Sequence, residues 1–101
     1  MAGKTEAAVA AQKAVLVCTE FRGVFFGYAS DPMADPIQLD RARNCLHWSA
    51  DVKGFEGLAV TGPSAGCRVG PAANLTLRKV TCVAEVTPEA VQAWESAPWK
   101  A

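Results

Sequence analysis

The chain has 101 residues, half of them apolar and a fifth charged, with ten basic residues balancing ten acidic ones. This length suits one domain with one core, the composition excludes a disordered chain, and zero net charge argues against binding duplex nucleic acid non-specifically. No apolar run approaches the roughly 18 residues of a membrane helix. Glu6, Gln12 and Lys13 break up the Ala-rich start where a secretory signal would stay apolar, so a cytoplasmic protein without a membrane partner is expected.

Residues 1–13 read as a frayed helix or flexible tail, and 14–101 as a single domain. Ala14 to Thr19 (AVLVCT) is a β-branched, apolar run suited to a strand buried on both faces. Glu20 to Gly23 turns the chain into Val24–Tyr28 (VFFGY), and the two strands are expected to form a hairpin. Gly27 marks a bulge or a close backbone approach. Ala29 to Pro36 contains Asp-Pro twice and reads as an exposed loop, since proline bars the preceding residue from helix.

Ile37 to Trp48 (IQLDRARNCLHW) supports two readings. Alternation places Arg41, Arg43, Cys45 and His47 on one face of a strand, while Leu39, Ala42, Arg43 and Leu46 would line a helix. The strand is preferred because Asn44 and the Cys-Leu-His-Trp ending are poor in strong helix formers, with a bend expected near Asp40. Five of the eight glycines and two of the six prolines then fall between Gly54 and Pro71. That density implies a compact, shaped loop, with room for one helical turn between Asp51 and Thr61, ended by Gly62-Pro63.

Leu75 to Val86 alternates and reads as one long half-buried strand, with Val80, Cys82, Ala84 and Val86 on one face. Thr87-Pro88-Glu89 is a helix start: a capping hydroxyl, a proline at the first helical position and an acid at the positive end of the dipole. The helix runs to about Ser96 with Ala90, Val91 and Trp94 as its apolar stripe, and Trp99 is placed to pack back on the sheet. The fold class is therefore α+β: four to five mainly antiparallel strands, a Gly-rich loop and one C-terminal helix.

Cys18, Cys45, Cys67 and Cys82 include no C-x-x-C pair, and three of them fall in predicted strands, so they read as buried thiols and not as zinc ligands. No metal, cofactor or catalytic residue is assigned. Gly62, Ser64, Gly66 and Arg68 could form an amide nest for an anion, although the segment lacks the P-loop ending. Its competing reading is a structural loop in which Arg68 caps carbonyls. Arg41, Arg43 and His47 could grip a phosphate, with Trp48, or an exposed Phe25 or Phe26, stacking on a base. The competing reading there is a solvated face paired with Asp40, Asp51 or Glu56. If the loop folds over the strand, the two arginine sites merge.

The segments RGVFFGY (Arg22–Tyr28), ARNCLHWSADVKGFEGLAVTGPSAGCRVGP (Ala42–Pro71) and VTPEAVQAWESAPW (Val86–Trp99) together resemble a family of small phage- and prophage-encoded proteins known as a domain of unknown function. The resemblance implies a viral accessory protein in the bacterial cytoplasm and supplies no active site. The expectation that follows is a non-enzymatic counter-defence protein that sequesters a phosphate-bearing, nucleotide-like ligand, in a pocket between subunits of a homo-oligomer. The alternatives are an inhibitor that binds a host defence protein, and a small nuclease or phosphoesterase using His47 and Arg68.

Overall fold

The computed structural model describes residues 12–20 and 23–98. Expectations for the tail before Gln12, for Phe21 and Arg22 in the first turn, and for Trp99 fall outside these residues. Six strands and two helices follow in chain order: β1 (Lys13–Thr19), β2 (Val24–Ala29), β3 (Ile37–His47), α1 (Gly54–Val60), β4 (Arg68–Val69), β5 (Ala73–Leu77), β6 (Val80–Glu85) and α2 (Pro88–Ser96). A 3₁₀ turn at Ala50–Val52 precedes α1. The architecture is α+β, as composition and periodicity indicated.

All pairings are antiparallel, in the order β4-β3-β2-β1-β6, with β5 also on β3. This order forces the sheet to curl. Leu77 of β5 and Val80 of β6 are three Cα steps apart, at most about 11 Å. In a flat sheet the four strand spacings from β5 to β6 would put them about 19 Å apart. The curl closes a core: Leu77 of β5 packs in one cluster with Val15 and Val17 of β1 and Ile37 and Leu39 of β3.

The opposite face of the sheet carries the helices. Leu16, Val24, Phe26, Cys45 and Val69 pack there against Leu58 and Ala59 of α1 and Ala90 and Trp94 of α2. The Trp94 ring lies parallel to Phe26, with centroids 5.4 Å apart. Its indole N–H donates to the Leu58 carbonyl at 3.0 Å. Thr87 caps α2 by accepting from the Ala90 N–H, and its hydroxyl donates to the Val60 carbonyl. One residue therefore starts α2 and satisfies a terminal carbonyl of α1, which has no partner within its own helix.

Two expectations need correction. The stretch from Gly54 is not one loop: its first seven residues are a two-turn helix, because Leu58 and Ala59 gain burial that outweighs the low helix propensity of Gly54 and Gly57. Leu75–Val86 is not one strand. The chain breaks at Arg78-Lys79, where Lys79 takes a left-handed φ of 58° and the Asp35 carboxylate accepts from the N–H groups of Lys79 and Val80. A register shift in the β1–β6 ladder then puts Val80 in the concave cluster while Ala84 packs on the helix side, so the alternation expected from Val80 to Val86 does not hold.

Candidate functional site

The site begins with a β-bulge. Between Asp40 and Arg43, strand β3 carries one residue more than either neighbour, shifting register against both β2 and β5. The extra residue changes which side chains face which side. Ile37, Leu39 and Ala42 point into the concave core, while Arg43 and Cys45 point to the helix side. Without it Arg43 would share the face of Ile37. Gly27 stands opposite, and a Cβ there would come within 2.9 Å of Leu39 Cβ; only glycine lets the two strands approach this closely.

Arg41 occupies the bulge with φ 51°, and its N–H donates to Asn74 Oδ1 at 3.0 Å. Its guanidinium lies 4.0 Å from the centroid of the Tyr28 ring, a cation–π contact. Arg43 is buried. Its Nε donates to the Gly70 carbonyl and its Nη1 to the Trp94 carbonyl, both at 2.8 Å. Burial shifts its pKa downward. Arg43 thus ties the link after β4 and the last turn of α2 to the sheet.

These groups surround a cavity of about 470 Å³ lined by Phe26, Tyr28, Arg41, Arg43, the Pro71-Ala72 link and the end of α2 at Glu95, Ala97 and Pro98. That volume lies within the range of small-molecule sites. The Tyr28 hydroxyl donates to the Glu95 carboxylate. Burial, and then this bond to a carboxylate, push the Tyr28 pKa up to about 12, so the phenol stays protonated and keeps donating. Among the described residues the ion pair is Lys79–Glu20, and neither arginine forms one with Glu95.

The structure thus brings Arg41 and Arg43 together. The other candidates lie apart from this cavity. His47 pairs with Arg68 across the β3–β4 ladder, both exposed, and Trp48 packs half-buried against the helix-side core. Gly62, with φ 81°, seats the end of α1 on α2: a Cβ there would come within 2.6 Å of Ala93 Cβ. Gly66 crowds Ser49 in the same way. Ser64 bonds Asp51 at 3.2 Å and Ser49 at 3.2 Å, and Ser49 also bonds Asp51. These hydroxyls hold the Asp51 carboxylate below its ordinary pKa, so the loop already serves an internal anion.

Burial and the neighbouring Cys67 push the Cys45 thiol up to about 12. All four cysteines are free thiols, with Cys45 and Cys67 buried, Cys18 half-buried and Cys82 exposed, which departs from the expectation of uniformly buried thiols. Tyr28 and Glu95 were not among the sequence candidates. Tyr28 reads as a strand aromatic, and its partner lies 67 positions away on another element. Only the i, i+4 spacing of Glu95 from Val91 hinted that it borders the packed face of α2.

No helix among the described residues is long and apolar enough to cross a membrane. No curated protein and no solved structure matches the chain. One family model does, across residues 12–94, from the first described residue to the tryptophan that anchors α2. The chain belongs to this family, the domain of unknown function DUF6948.

Proposed function

We propose that this chain is a non-enzymatic binding protein for a small phosphate-bearing, nucleotide-like ligand, held in the groove between β3, the Pro71-Ala72 link and the end of α2. The observation that carries this reading is the convergence of Arg41 and Arg43 on one cavity beside the Tyr28 ring. Guanidinium groups recognise phosphate, and an aromatic and proline-rich wall suits the flat, apolar part of a ligand. The phosphoesterase alternative would rest on a different place, His47 and Arg68, which pair across the β3–β4 ladder outside this groove.

A binder without turnover would act by sequestration, consistent with the counter-defence setting that the phage resemblance implies. A second copy closing the open side of the groove would complete the enclosure. The test is isothermal titration of the purified protein with nucleoside monophosphates, beside native mass spectrometry. The reading predicts a bound nucleotide that is recovered intact, and loss of binding in Arg41→Ala. A protein that ignores every nucleotide and instead retains a host protein would replace it with the inhibitor reading, and a converted nucleotide with the phosphoesterase reading.

A further inference from the structure

The two walls of the groove have opposite polarity. On the sheet side stands the exposed Arg41 guanidinium, backed by the charge of the buried Arg43, which gives two of its N–H groups to the Gly70 and Trp94 carbonyls; on the α2 side stands the Glu95 carboxylate, oriented by the Tyr28 hydroxyl. An anion alone would be attracted by the first wall and repelled by the second. A ligand that satisfies both must carry a negative group at one end and N–H donors at the other.

The nucleobases differ on this point. Guanine is the base whose pairing edge offers adjacent N–H donors, from N1 and the 2-amino group, and a carboxylate can accept both. Adenine and cytosine each set a ring-nitrogen acceptor beside their amino group, opposing the carboxylate lone pairs. Uracil offers a single N–H between two carbonyls. Resting on the nucleotide reading above, we infer that the groove selects a guanine nucleotide, with phosphate on the arginine wall and the base edge on Glu95.

Titration of the wild-type protein with GMP, IMP, AMP and CMP decides this. A carboxylate that accepts two N–H groups from the correct base discriminates on the order of ten-fold or more. GMP is expected to bind tightest by that margin over AMP and CMP, with IMP, which lacks the 2-amino group, in between. Glu95 is exposed, and Glu95→Gln is expected to lose the GMP preference, its GMP affinity falling towards that for AMP. Equal affinity for GMP and AMP in the wild type, or an undiminished GMP preference in Glu95→Gln, overturns the inference and leaves the nucleotide reading standing. Failure of all four nucleotides to bind overturns both.

Discussion

Arg43 and Trp94 are joined by two routes. The guanidinium donates directly to the Trp94 carbonyl at 2.8 Å, and the Trp94 ring stacks on Phe26, the residue paired with Arg43 across the β2–β3 ladder. The carbonyl belongs to the last turn of α2, where helical carbonyls have no partner in their own helix and a cation also complements the dipole.

Arg43 is therefore a structural clamp whatever else it binds. Replacing it with Met removes donors from two carbonyls, Gly70 and Trp94, that it reaches from a buried position. Hydrogen bonds to charged groups contribute more than neutral ones, so Arg43→Met is expected to cost about 2–4 kcal/mol. Thermal unfolding followed by circular dichroism should show a midpoint lowered by on the order of 10 °C or more. An unchanged midpoint would mean that the clamp contributes nothing.

Arg41 separates binding from stability in the other direction. Its left-handed φ of 51° is unfavourable for a residue with a Cβ, and its side chain is exposed apart from the Tyr28 contact. Arg41→Gly relieves backbone strain of about 1–2 kcal/mol while losing a cation–π contact of about 0.5–1 kcal/mol at an exposed site. Stability should stay level or rise slightly, while the proposed nucleotide binding should disappear. Denaturant midpoints and titration calorimetry on the same preparation check both halves, and a marked fall in stability would refute the strain assignment.

Much of this arrangement was legible in the sequence where the determinants are local. The hairpin of β1 and β2, the long β3 and the capped start of α2 all rest on alternation, turn residues or a capping hydroxyl within a few positions. The break at Arg78-Lys79 was not legible, because no Gly or Pro marks it: Asp35, more than forty positions away, supplies the acceptor that holds it. The site divides the same way. Arg41 and Arg43 stood out as paired charges on one strand, and the bend near Asp40 is the bulge itself. Glu95 became part of the site only through Tyr28, and Ser64 was withdrawn from the anion nest by Asp51, a contact that loop composition does not reveal.

The four thiols should react at three different rates. Cys82 is exposed, Cys18 half-buried, and Cys45 and Cys67 are buried. The thiolate is the reacting species, and Cys45, pushed up to about 12, is almost entirely protonated at neutral pH. A chromogenic disulfide reagent should titrate Cys82 at once, Cys18 more slowly, and Cys45 and Cys67 only after denaturant is added. Cys82→Ser should remove the fast phase and nothing else. A fast phase that persists in that variant would show that Cys18 or one of the buried thiols is as accessible as Cys82 and would overturn the ranking.

The Tyr28–Glu95 contact should appear in the alkaline limb of stability. The Tyr28 pKa is raised to about 12 by burial first and then by the Glu95 carboxylate, with the nearby Arg41 charge opposing the shift. In the unfolded chain it returns to about 10. The folded state therefore favours the protonated phenol. The contribution is fully present below pH 10 and is lost as pH rises towards 12, where the folded protein must also ionise. Tyr28→Phe lacks this titration but keeps the ring beneath Arg41. The urea midpoint of the wild type should exceed that of the variant at about pH 8, and the gap should narrow at about pH 11. A gap that stays constant across that interval would mean that the hydroxyl does not donate to Glu95 in solution.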